Sequence, residues 1–149
     1  MADAFVAYIH FLGMMMLMAA LVTEHVLLGG TLELRRARQL ATTDLIYIAA
    51  AAAVLLTGIL RMFYYGKGAA FYFGNPLFHL KLTLFFVAAL LSVYPSVQIA
   101  GWRAGLKTGK APQLQPRRSS VMRWLIRLEL LAIVLIPLTA ALMGRGFGY

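Results

Sequence analysis

The sequence predicts an all-α fold, a four-helix antiparallel transmembrane bundle with both termini outside, and three observations carry that expectation. Four apolar runs are each long enough to cross a bilayer, which takes about 20 residues for a hydrocarbon core of roughly 30 Å. Glycine, proline and arginine-rich stretches separate the runs, and most of the charge lies in those breaks. Of the 149 residues, 62% are hydrophobic, well above the roughly half found in soluble domains, and this excludes a soluble globular class.

The first run, about 5–28, has no basic stretch before it and is too long for a cleaved signal peptide, so it reads as a retained helix. Gly29-Gly30 and an Arg-rich segment follow, then a second run over about 43–63. Gly66-Lys67-Gly68 and Gly74-Asn75-Pro76 bracket an aromatic connection to the third run, about 77–99. Gly101 through Pro116, with two prolines, is the one long connection to the fourth run, about 123–143, and Leu106–Arg118 reads as a solvated cytoplasmic linker. The whole of 1–149 forms one integral-membrane domain.

Orientation follows from the cations of the short loops. Arg35, Arg36, Arg38, Arg103, Lys107, Lys110, Arg117, Arg118 and Arg123 fall on one side, against Lys67 and Arg145 on the other. Both termini then face outward from a bacterial inner membrane. Phe63, Tyr64, Tyr65, Phe71, Tyr72, Phe73 and Phe78 supply an aromatic belt at the outer level. The formal net charge of +9 comes mostly from these breaks, unlike the basic face of a nucleic-acid binder, so nucleic acid is not an expected partner. The chain has no cysteine, which removes thiolate metal sites and disulfides.

Ionisable residues inside apolar helices are costly, about 2.5–3.5 kcal/mol each on insertion scales, and therefore point to function. Assigning depth gives two layers. The outer holds His10, Arg61, His79 and Lys81; the inner holds Glu24, His25, Asp44, Arg127 and Glu129. A basic outer cluster with no carboxylate of its own suits an anionic guest such as the propionates of a haem, whereas the inner groups can satisfy one another.

Helical faces at about 100° per residue refine the reading. His10, Gly13, Leu17, Leu21 and Glu24 form one stripe, expected to face the bundle. His79 and Lys81 lie about 200° apart and cannot both point inward. Lys81 shares a small, weakly polar face with Ala88, Ser92 and Pro95, so it is expected inward and His79 at the interface. Arg61 continues a stripe of Gly58, Thr57, Val54, Ala50 and Tyr47. The uncharged run after Glu129 covers only about 22 Å, which places Glu129 within the membrane. Its structural partner would be Arg127 of a second copy of the chain or Arg35 of the first loop. Simpler readings stay open: a backbone-bonded neutral imidazole for His10, snorkelling for Arg61 and Lys81, and packing for the Met14-Met15-Met16 run.

The segments Phe71-Tyr72-Phe73-Gly74-Asn75-Pro76-Leu77-Phe78-His79-Leu80-Lys81-Leu82, Leu91-Ser92-Val93-Tyr94-Pro95 and Arg123-Trp124-Leu125-Ile126-Arg127-Leu128-Glu129 closely resemble an uncharacterised family of small four-helix bacterial membrane proteins, grouped as a domain of unknown function. That family in turn is distantly similar to the bacterial four-helix, haem-containing protoporphyrinogen IX oxidases, with His10, Lys81 and Arg123-Trp124…Glu129 at the matching positions. The oxidases have a tryptophan-rich end to helix one where this chain has Val22-Thr23-Glu24-His25-Val26. The resemblance implies a b-type haem within the bundle and electron transfer to the respiratory chain.

The leading expectation is thus a redox-type membrane protein binding haem b. His10 would be an axial ligand and the one metal ligand, Lys81 the opposite ligand or a propionate partner, and Arg61 a propionate clamp, with His79 on the cofactor side. Glu24, His25 and Glu129 would move protons. The alternative is a proton- or metal-coupled permease or a non-catalytic assembly subunit. Lipid, a second copy of the chain and a respiratory-chain component are the partners these readings admit.

Overall fold

The computed structural model describes residues 1–66 and 68–148. Lys67, counted above among the outer cations, lies outside the described residues. All regular structure within them is helical. Helix α1 spans Ala2–Leu27, α2 Leu34–Leu60, a five-residue α3 Ala69–Phe73, α4 Pro76–Lys107 and α5 Pro116–Gly144. Arg61–Tyr65 continues α2 as a π-helical turn. Four of these helices are long and apolar enough to cross a membrane.

Every long helix runs past the limits expected from hydropathy alone. α2 begins nine residues before residue 43, α4 ends eight beyond 99, and α5 begins seven before 123. The apolar window stops where charges begin, but the backbone hydrogen-bond ladder does not, because continuing it keeps amides paired at the membrane surface. At 32 residues, α4 is about 48 Å long, well beyond a hydrocarbon core of roughly 30 Å. The expected long linker shrinks accordingly to 108–115, with residues 101–107 helical.

Local chemistry sets the ends. Asn75 caps α4, its side chain accepting from the Leu77 amide at 2.9 Å, and Pro76 occupies the first turn, where no amide donor is needed. Pro116 opens α5 in the same way. Past α4 the chain reverses through Gly109, whose φ of +77° suits a residue without a Cβ. Arg38 reaches from α2 to the Leu106 carbonyl at 3.1 Å, supplying a donor to an end of α4 that has run out of its own amides.

The helices pack as two antiparallel pairs, α1 with α2 and α4 with α5; α1 also meets α5, and α2 meets α4. The diagonal pairs, α1 with α4 and α2 with α5, make no close backbone approach. Gly13 lets α1 and α2 approach: a Cβ there would lie 3.0 Å from Cγ2 of Val54. Leu17, Leu21, Leu40, Ala88, Ile99, Ile126 and Ile133 fill the shared interior. Both termini lie at one end, where Asn75 also donates to the Phe147 carbonyl at 3.0 Å.

The absence of cysteine allows a direct test of orientation. A cysteine introduced at Lys110 is expected to react with a membrane-impermeant maleimide only after the membrane is opened, and one at Asp3 in intact spheroplasts. Labelling with the opposite sidedness contradicts the loop-charge reading.

Candidate functional site

Three of the chain's five carboxylates are buried in the half of the bundle away from the termini: Glu24 at 3% exposure, Asp44 at 1% and Glu129 at 1%. They come from α1, α2 and α5. Glu24 lies within electrostatic reach of both others. An ionised carboxylate has no place in hydrocarbon without partners, so the neighbours of each decide what the cluster can do.

Asp44 is the satisfied member. Its Oδ1 accepts from Ser96 Oγ at 2.6 Å, and its Oδ2 pairs with Arg103 at 3.1 Å. Ser92, Ser96, Ile99 and Arg103 fall at steps of four, three and four along α4, so one helical face delivers both donors. Glu129 accepts a short hydrogen bond from the Tyr47 hydroxyl at Oε1, while its buried Oε2 has no partner among the described residues. Ser92 stands beside that hydroxyl. Oε1 of Glu24 is likewise buried without a partner among the described residues.

This differs in detail from the pairing expected for Glu129. Arg35 does not reach it, and the chain's own Arg127 is exposed and lies over the Trp124 ring at 5.2 Å, where a second copy of the chain could meet it. His25 points away from the cluster, half-buried on the side of Arg123 and Arg127, as its 100° offset from Glu24 requires. Glu24 and Glu129 are brought together, and His25 is not. Sequence reasoning missed the roles of Ser96, Arg103 and the Tyr47 hydroxyl. The spacing of Ser92, Ser96, Ile99 and Arg103 is the signal for the α4 pair, although Arg103 lies beyond the apolar run, and the Tyr47 hydroxyl carries no such signal.

Toward the termini the four long helices line an apolar cavity of about 120 Å³. His10, Val54, Gly58, Phe78, Lys81 and Ile133 are among its lining residues. His10 is 6% exposed, and its Nδ1 lies 2.9 Å from Thr57 Oγ1. The Thr57 hydroxyl donates to the Ala53 carbonyl at 2.5 Å, so it must accept from His10. The neutral ring therefore carries its proton on Nδ1 and its lone pair on Nε2. Lys81 faces the bundle, as its stripe predicted. His79 is exposed, bonded through Nε2 to the Phe73 carbonyl at 3.0 Å, and does not line the cavity. The Arg61 guanidinium lies 5.4 Å from the centre of the Phe11 ring.

The residues present fit a haem poorly. The cavity is smaller than the roughly 300–1,000 Å³ of ordinary cofactor pockets, and it offers one imidazole. Among the described residues no three His, Asp or Glu side chains converge to hold a metal ion.

A family model described as "Predicted membrane protein (DUF2214)" matches residues 2–148. No curated protein and no solved structure matches the chain. The family resemblance is thus supported by an independent comparison, and the similarity to the haem oxidases is not among its findings.

The Asp44–Arg103 pair generates an asymmetric prediction. Arg103→Ala leaves a buried carboxylate with only Ser96, and is expected to cost about 2–3 kcal/mol, less than the roughly 3–5 of a fully buried pair because Arg103 reaches solvent. Asp44→Asn removes the charge while keeping a polar partner for Ser96 and is expected to cost less. Thermal unfolding in detergent ranks the two; the reverse order contradicts the assignment.

Proposed function

The chain belongs to the DUF2214 family of predicted membrane proteins, and on that premise we propose that it is a proton-coupled integral-membrane protein of the permease class, with Glu24 and Glu129 as the groups that take up and release the proton. One observation carries the reading: both carboxyls are buried in the bundle, and each has an oxygen with no partner among the described residues. A carboxyl held only for packing would be matched on both oxygens, as Asp44 is.

The roles follow from the neighbours. Arg103 is the member of the cluster nearest to water, with a side chain 37% exposed, and its pair with Asp44 closes the loop end of the path. Behind it, Glu24 and Glu129 exchange the proton, and the Tyr47 hydroxyl holds Glu129 in place. Pro95 sits between Ser92 and Ser96 in α4 and has no amide to offer the Leu91 carbonyl. This break in the ladder lies where the cluster would have to rearrange to pass a proton onward, as in the interrupted helices of carriers. Glu24 and Glu129 retain the proton-moving role expected from the sequence, and His25 drops out of it.

Haem b is the second reading, and what supports it is the fixed tautomer of His10. Metal-binding histidines are commonly oriented through their other ring nitrogen, and Thr57 holds Nδ1 in that way. His10 would be the ligand to such a group, which would supply one-electron chemistry. The cavity would have to widen to admit it.

Purified protein in liposomes containing a pH-sensitive dye tests the proposal. An imposed pH gradient is expected to collapse faster than in empty liposomes. Glu24→Gln and Glu129→Gln are each expected to slow that excess on the order of 10²-fold, with the exposed Arg127→Gln unchanged. Wild-type flux equal to that of empty liposomes, both alone and with each of a panel of inorganic cations and small organic anions added outside, contradicts the reading. A reduced-minus-oxidised spectrum of protein made with haem precursors tests the second: a b-type band lost in His10→Ala would replace the proton account.

A further inference from the structure

We infer that the cavity near the termini binds the carboxylate of a single-chain fatty acid, with Lys81 as its counter-ion. This goes beyond the proton reading and does not rest on it, since it concerns the other half of the bundle and different residues.

The lining gives the first reason. Apart from His10 and Lys81, the cavity wall is aliphatic, aromatic, glycine or methionine side chains. Such a wall takes the first few methylenes below a head group, with the rest of the chain outside it, and leaves a single place for a polar head. The head must be anionic, because Lys81 brings a cation to a wall that contains no carboxylate. Among the described residues, the sole ion pair is that of Asp44 with Arg103 in the other half. Arg61 adds to the positive potential felt at Lys81 and does not relieve it. Lys81 is half-buried, and its ammonium has no anionic partner among the described residues; a cation so placed against hydrocarbon is costly, and an incoming anion that offsets the cost gains affinity from it.

The mouth gives the second reason. Leu55 and Ile59 of α2 border the cavity and are 41% and 43% exposed, with Leu82 of α4 opposite them. The cavity therefore opens sideways between α2 and α4 toward the acyl region of the bilayer. A chain can lie in that gap while its head reaches Lys81.

Depth and size select the class of lipid. Lys81 lies six residues past the Asn75 cap, about 9 Å along the helix, below the level where phospholipid phosphates are held. A free carboxylate on one chain can descend that far. A phosphate tied to two chains and a glycerol cannot do so within about 120 Å³.

Displacement of a fluorescent anthroyloxy fatty acid from purified protein in a sugar-headed detergent tests the inference, with palmitate, hexadecan-1-ol and phosphatidylglycerol as competitors. Palmitate is expected to displace the probe at concentrations about tenfold lower than the alcohol, a difference of about 1.4 kcal/mol. Phosphatidylglycerol should compete no better than the alcohol. Lys81→Met is expected to remove the preference for the acid, while Lys81→Arg and the distant Arg145→Gln keep it. If Lys81→Met does not fold by circular dichroism, Ile59→Trp at the mouth serves instead and should weaken palmitate without changing the helices. Equal competition by acid and alcohol, competition by phosphatidylglycerol equal to that of palmitate, or no displacement by palmitate would each overturn the site.

Discussion

Tyr47 and Glu129 meet in the interior of the bundle, and their hydrogen bond joins α2 to α5, the diagonal helices whose backbones do not approach each other. In a bilayer, apolar side chains gain little by leaving lipid for protein, so close packing of small residues and polar contacts must fix which helix lies where. α2 collects most of those contacts. It is tied to α1 through Thr57 and His10, to α4 through Asp44 with Ser96 and Arg103, and to α5 through Tyr47. The other three long helices are thus positioned against it, and the carboxylate cluster forms where their polar faces converge.

The two ends of this arrangement differ in sign. Toward the termini the bundle presents Lys81, Arg61 and His10 with no carboxylate on the cavity wall; toward the loops it buries three carboxylates against Arg103. Thr57 and Tyr47 mark the two levels on α2, about 15 Å apart by their ten-residue separation. Leu17, Leu21, Ala88 and Ile133 fill the interior around them. A protein that needed only a stable bundle would gain nothing from such a separation, since buried ions are at best weak contributors to stability. Proline interrupts α4 at Pro95 and α5 at Pro137, so α4, which contributes to both polar regions, and α5, which carries Glu129, both have broken hydrogen-bond ladders.

How far the sequence foretold this depended on which physical signal each residue carried. The four crossings were legible because hydrocarbon admits few structures. Lys81 toward the bundle, His79 away from it and Glu24 inside were legible from helical stripes, a property of one helix at a time, and Glu129 inside was legible from the short uncharged run after it. Partners were not. The bond from Tyr47 to Glu129 depends on how two diagonal helices are rotated, which neither sequence segment encodes alone. Arg103 was misplaced because a hydropathy window ends where charges begin, whereas α4 continues as a helix to Lys107. Thr57 was recognised as part of a weakly polar stripe, but its choice of the His10 tautomer rests on a donor already committed to Ala53. The haem expectation came from the basic outer cluster as well as from a resemblance, and the size of the cavity beside His10 supports it least.

If Glu24 and Glu129 carry the proton, both carboxyls must change protonation inside the bundle. Infrared difference spectroscopy of the protein in lipid, stepped in pH, reads this at the carbonyl stretch of protonated carboxyl groups. The account predicts a titrating band of which one part disappears in Glu24→Gln and another in Glu129→Gln. A difference spectrum to which neither residue contributes would contradict it.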